Sequence, residues 1–223
     1  MASSAASVTY SNPWLSWHYI TANFGHIMSA VRQHVALTLV AVAIGFAISL
    51  PIALAARRWR WVATPALAIA GVAYAIPSLA LFVALIPFTG LGRTTVEIGL
   101  VLYTLLILLR NTLTGLNGVP REVREAGKGL GYGPIRLTLT VDLPLAIPAI
   151  IAGLRVATVS TIALTTIGAI VGYGGLGNDI LQGFQNNYRA QATTATLACI
   201  LLAVIADAAW LLIQRLLTPW ARR

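Results

Sequence analysis

From Val35 to Ala56 the chain runs without a charged residue, and about 20 mostly apolar residues is the length a helix needs to cross a bilayer. A second uncharged run extends from Val62 to Gly92. In hydrocarbon every backbone polar group must find its partner within the segment, so such runs are helices. The rest of the composition agrees. Of the 223 residues, 58% are hydrophobic and 9% charged, whereas a water-facing domain carries about 25% charge. The expected fold class is therefore all-α, a polytopic membrane protein.

Five spans account for the apolar stretches: 35–56, 62–92, 96–116, 144–172 and 191–216. The second is long for one straight helix, and Pro65, Pro77 and Pro87 punctuate it; proline kinks a membrane helix and frees carbonyls for other partners. The basic residues set the orientation. With five spans, Arg57, Arg58, Arg60, Arg121, Arg124, Lys128, Arg136, Arg215, Arg222 and Arg223 fall on one side, and only Arg32, Arg93 and Arg189 on the other. The positive-inside rule then places the N-terminus outside and the C-terminus in the cytoplasm of a multi-pass plasma (inner) membrane protein. Splitting the second run into two spans destroys this bias. The organisation expected is a polar tail with an interfacial helix over 1–28, a transmembrane domain over 29–217, a cytoplasmic loop over 117–143 within it, and a basic cytoplasmic tail over 218–223. Met1 to Tyr10 lacks a basic start and an apolar centre, so it reads as a disordered tail rather than a secretory signal.

The net charge of +9 raises the question of nucleic acid, which needs basic residues gathered on one face. Here they form short clusters between apolar runs, so no nucleic-acid partner is expected. Cys199 is the only cysteine, which excludes an intrachain disulfide or a cysteine metal site. His18, His26 and His34 are irregularly spaced without nearby carboxylates, and interfacial packing explains them better than a metal.

The 117–143 loop is longer than a simple connection needs. Pro120 followed by Arg-Glu-Val-Arg-Glu-Ala suits a helix start, with Glu122 and Glu125 near the positive end of its dipole. Gly127, Gly129, Gly131 and Gly133 are expected to break that helix and act as a hinge. The product is a short charged helix at the membrane surface, able to dock on a soluble partner or to serve as a plain connector.

The spacing Glu125-Ala126-Gly127, three residues, Gly131, nine residues, Val141-Asp142-Leu143-Pro144 resembles the EAA motif of permease subunits in binding-protein-dependent ABC importers. That pattern is Glu-Ala-Ala, three residues, Gly, nine residues, Ile, one residue, Leu-Pro. Gly127 stands for the second alanine and Val141 for the isoleucine, and Gly127 is expected to loosen the end of the coupling helix. Ala75 to Leu81, Leu108 to Thr112, Thr166 to Ala169 and Gly172 to Gly177 resemble the osmoprotectant branch, over about residues 30–215. The resemblance implies transport of glycine betaine, choline, carnitine or proline betaine, with other small solutes as the alternative. It implies a separate cytoplasmic ATP-binding subunit holding ATP and Mg, an extracytoplasmic solute-binding protein, and a second permease, identical or homologous. ATPase coupling falls to Glu122, Glu125, Ala126, Gly127, Gly131, Leu143 and Pro144. Gly172, Gly174, Gly175 and Gly177 would belong to an external gate.

Other signals are weaker. Gly172, Gly174 and Gly177 spell G-x-G-x-x-G, but no strand precedes them, which removes the dinucleotide reading. No G-x-x-x-x-G-K-[ST] occurs, so the chain itself grips no ATP phosphates. No catalytic residue and no cofactor of its own are expected. Tyr74, Ser78 and Phe82 share a helix face and with Tyr103 offer aromatic surface to a quaternary ammonium; helix packing is the preferred explanation. Thr158, Thr161 and Thr165 form a hydroxyl stripe suited to interhelical bonds or path lining. Arg110, Arg155 and Asp207 are charges within spans, where they are expensive. Asp207 is expected to pair with Arg155 or Arg110 as a lock between helices, the alternative being a charge on the solute path. A secondary transporter would show internal repeats, and none is evident. A membrane enzyme would need a constellation of acids and bases that six scattered carboxylates do not supply.

Overall fold

A computed structural model describes residues 12–219. The tail at 1–10 and the Arg222 and Arg223 cluster lie outside the described residues. Ten α-helices follow in order: α1 (Trp17–Ala22), α2 (Phe24–Arg58), α3 (Arg60–Ala75), α4 (Ser78–Thr89), α5 (Arg93–Asn117), α6 (Arg121–Gly129), α7 (Pro134–Leu137), α8 (Leu143–Ile167), α9 (Leu176–Gln185) and α10 (Arg189–Leu217). Four helical stretches, at 24–58, 93–117, 134–171 and 189–217, are each long and apolar enough to cross a membrane, and α3 with α4 makes a fifth span if the bent pair is counted as one.

The helices differ from the sequence expectation in four places. The first long helix begins at Phe24 rather than near Val35, so only α1 is separate from it. The second run breaks once, by 100° between α3 and α4. Pro77 makes the break: Ile76 before it is extended at φ −67°, ψ 128°, as a residue preceding proline prefers. Pro65 and Pro87 stay inside their helices. The stretch 173–190, which lies between the last two expected spans, contains the helix α9. The fourth spanning helix begins at Pro134, because α7, a π-turn over Thr138–Asp142 and α8 run on without interruption.

Helix α5 is the centre of the packing, and small residues let its neighbours approach. A Cβ at Gly115 would lie 2.9 Å from the Ala146 carbonyl oxygen of α8. Gly99 is filled by the Phe82 ring of α4, and Gly45 of α2 by Thr104. In lipid, where tails are as apolar as leucine, such close contact rather than water exclusion drives association. One apolar cluster gathers Val42, Ala53, Leu108, Leu116, Ala146 and Ile150 near the α6 end. Another holds Leu37, Phe82, Val96, Leu100 and Val171 toward the opposite end. Helix α10 is the least covered span, with Ile200, Leu201, Val204 and Leu212 open on its surface. A row of exposed apolar residues of this kind needs hydrocarbon or another protein surface around it.

Candidate functional site

The polar end of the molecule is built on α6. Arg121, Glu122, Val123, Glu125 and Lys128 all lie exposed, and only Gly127 is buried. Lys128 Nζ donates to Glu125 Oε1 at 3.1 Å. That hydrogen bond, aided by the charges of Lys128, Arg121 and Arg124, holds the Glu125 carboxyl below its ordinary range. The exposed face therefore carries charged side chains of both signs within the first two turns of the helix.

Its end shows why a glycine stands at position 131. The Tyr132 amide bonds back to the Gly127 carbonyl at 3.1 Å and the Gly131 amide to the Lys128 carbonyl at 2.8 Å. This crossed pair is a Schellman stop, and it requires a left-handed residue between the two donors. Gly131 takes φ +79°. The expected four-glycine hinge is corrected here. Helix α6 runs through Gly127 to Gly129 and turns at Gly131. Gly127 does not loosen the helix: it is buried where a Cβ would come 2.7 Å from Leu137 Cδ1, so its missing side chain lets α6 lie against α7.

Beyond the turn, Pro134 opens α7 at its first position, where its missing N–H costs nothing. The π-turn ends with the Leu143 amide bonded to the Thr138 carbonyl. In a regular helix the Pro144 ring would press on the carbonyl four residues back; one wider turn immediately before it relieves that crowding. The Leu143-Pro144 pair of the motif thus sits where the helix must widen.

Asp142, in that same turn, is the residue sequence reasoning missed. It is 1% exposed. Arg57 Nη2 of α2 and Arg124 Nε of α6 each approach its Oδ1 at 3.1 Å, as charge contacts without hydrogen-bond alignment. One carboxylate therefore joins the end of a spanning helix, the surface helix and the start of the next span. A signal was present: a carboxylate buried at the head of an apolar run needs a cation. A cleft of about 790 Å³ opens beside this joint, lined by Arg58, Arg121, Lys128 and Tyr132 among others. Tyr132 is itself covered by the Arg136 guanidinium, 4.2 Å from the ring centre.

The remaining sequence candidates are dispersed. Tyr74 is 44% exposed and meets Tyr103 edge to face at 5.7 Å between centroids. Tyr103 is buried, its hydroxyl donating to the Ile76 carbonyl at the α3–α4 break. Phe82 is fully buried, and so are Thr161 and Thr165, whose hydroxyls bond back to Ala157 and Thr161 carbonyls at 2.7 Å. These three fill the protomer and reach no open surface. Of the set, Tyr74 and half-buried Ser78 do.

The glycine cluster has a packing explanation. Gly174 meets the Ala169 backbone, Gly177 the Thr166 backbone, and a Cβ on Gly175 would lie 2.8 Å from that of His34. Only backbone fits where the α9 start passes the end of α8 and the His34 turn of α2. Asp179 of α9, 3% exposed, takes His26 Nε2 at 2.7 Å. Among the described residues no three of His, Cys, Asp and Glu converge on a metal position. Arg110 is exposed and stands apart from Asp207. Asp207 pairs instead with Arg155 in a two-pronged contact, Nε to Oδ1 and Nη2 to Oδ2, each 2.9 Å.

Helices long and apolar enough to span a membrane, carrying one exposed, charged helix whose root meets the ends of two of them, define a polytopic membrane protein with a charged helix free to meet other molecules. Comparison with known proteins makes that class specific. Residues 45–223 match the family described as binding-protein-dependent transport system inner membrane component, and the chain belongs to that family. It is 36% identical to the osmoprotectant import permease protein OsmW of Salmonella typhimurium over 91% of this chain and 96% of that one. It is 31% identical to the choline transport system permease protein OpuBB of Bacillus subtilis, over 90% and 93%. Among solved structures, an inward-facing form of the MetNI methionine ABC transporter superposes with a TM-score of 0.75 at 25% identity, covering 84% of this chain and 94% of that one. An amino acid ABC transporter gives 0.75 at 19% identity over 90% and 98%, a likeness of fold.

Proposed function

We propose that this chain is the transmembrane subunit of an ATP-driven importer for osmoprotectants of the quaternary-amine class, such as glycine betaine, choline or carnitine. The observation that carries the proposal is α6. It keeps the EAA register, exposes its charged face, and is tied from behind by Asp142 to both α2 and α8. A helix exposed in front and clamped behind suits a lever. A soluble ATP-binding subunit, which holds ATP and Mg, grips the exposed face, and the clamp passes its displacement to the spans. The chain supplies no catalysis of its own.

In this reading the α6 end is cytoplasmic and the α9 end faces an extracytoplasmic solute-binding protein. A second permease, identical or homologous, completes the pore. The substrate class is supported by the names of relatives that are 31–36% identical over about nine-tenths of this chain. Purification in mild detergent tests the assembly: an ATP-binding subunit should accompany the chain. Vesicles holding the complex and its binding protein should accumulate glycine betaine or choline only with ATP inside. A chain that purifies alone and drives uptake from an ion gradient is a secondary transporter instead.

A further inference from the structure

Half-way along α8, against the second half of α10, lies an ion pair that the chain itself does not enclose. Arg155 and Asp207 side chains are 28% and 38% exposed, and they open into a cleft of about 630 Å³. Such a volume is in the range of small-molecule sites. The cleft walls are aliphatic and small, with Ala152, Val156, Val159, Ala203 and Val204 among them, and Ser160 adds a single hydroxyl. A guanidinium offers five N–H donors in a fixed fork, of which the pair uses two. Lipid chains have nothing to offer the rest. The pair also has no duty that it alone can perform in joining these helices, since Trp210 Nε1 of α10 already bonds to Thr158 Oγ1 of α8 at 2.9 Å.

We infer that the α8–α10 cleft is a transit site for zwitterionic solutes, with Arg155 receiving the carboxylate and Asp207 facing the quaternary ammonium. This rests on the osmoprotectant reading above. The chemistry fits in three respects. A zwitterion brings one charge of each sign, so exchanging the internal pair for two pairs with the solute leaves the net charge of the cleft unchanged, and no uncompensated ion is buried. The carboxylate matches the guanidinium fork. A quaternary ammonium has no N–H and is held by charge and by aliphatic walls, which are the two things the other side of the cleft provides. Because the solute must separate the internal pair to bind, part of its own attraction is offset, which keeps its hold weak enough for release, as passage requires.

The test uses the complete importer, with its ATPase and binding protein, in vesicles. Two variants divide a site from a lock. In the exchanged double variant Arg155→Asp with Asp207→Arg, an ion pair can still form, yet the carboxylate receiver moves to the opposite wall. Glycine betaine uptake is expected to fall about tenfold or more although the complex assembles. Uptake restored to the wild-type rate would make the pair a lock and overturn the inference. Independently, Ser160→Cys in a Cys199→Ala background, with both charges intact, should react with a hydrophilic cationic thiol reagent. Saturating glycine betaine should slow that reaction several-fold. A thiol that never reacts, or reacts at the same rate with betaine present, contradicts the site even if the double variant fails to assemble. Wild-type vesicles that take up neither glycine betaine nor choline would sink the osmoprotectant reading itself, a result distinct from either failure above.

Discussion

Two arginine–aspartate contacts in this molecule, at Asp142 and at Asp207, use the same side-chain chemistry and differ in burial and geometry. Asp142 is buried and shared between two arginines that meet one oxygen without alignment. Arg155 and Asp207 form an aligned fork, open to a cleft. A buried carboxylate that serves three segments cannot leave without stranding a cation, so it works as a joint. An open, self-contained fork can be separated by a ligand of matching charge. Burial and alignment, rather than the presence of an ion pair, decide which is structural.

The contrast can be broken most forcefully at Asp142. Asp142→Ala leaves Arg57 without its anion in a nearly dry place. The loss should be about 3 kcal/mol, the low end for breaking a buried pair, since Arg124 is a third exposed. A clear drop in melting temperature of the purified complex checks this, whereas Asp207→Asn should lower it far less, because the Thr158–Trp210 bond remains. Equal losses would erase the distinction. Arg124→Ala should cost less stability than Asp142→Ala, since Arg57 keeps Asp142 as its counter-ion, yet it should reduce uptake per ATP hydrolysed by detaching α6 from the joint. Smaller still, Gly131→Ala must place an alanine at φ +79°, at about 1 kcal/mol, read as a few degrees of melting temperature. Least of all, Gly127→Ala should be nearly neutral: the helix gains about 1 kcal/mol in propensity, offset by the displacement of Leu137.

Much of this was legible before the structure, and the limits have physical causes. Long apolar runs leave a chain in lipid only one secondary structure, so the spans could be placed, and the EAA register marked α6 because turn chemistry is local. What could not be read depends on which residues lie opposite one another. Gly127 looked like a hinge from its type alone; its role follows from Leu137, which packs on it from α7. The glycines from 172 to 175 do form a turn between helices, as their type suggests, but the close approach of Gly174, Gly175 and Gly177 to Ala169, His34 and Thr166 could not be read from type alone. Phe82, Thr161 and Thr165 carried the right chemistry for a path and face inward, since helical spacing says which residues share a face and not what that face meets. Asp142 was visible in the motif, but its partners lie at positions 57 and 124, and nothing local ties position 57 to it.

The central claim is that α6 transmits and does not catalyse. Glu125→Lys reverses a charge on its exposed face while leaving the Schellman stop and the Asp142 joint untouched. ATP hydrolysis and glycine betaine uptake should be measured in the same vesicles carrying this variant and its ATPase. The account predicts an assembled membrane subunit with hydrolysis continuing while uptake per ATP collapses. Uptake at the wild-type ratio would reduce α6 to a connector and contradict the account.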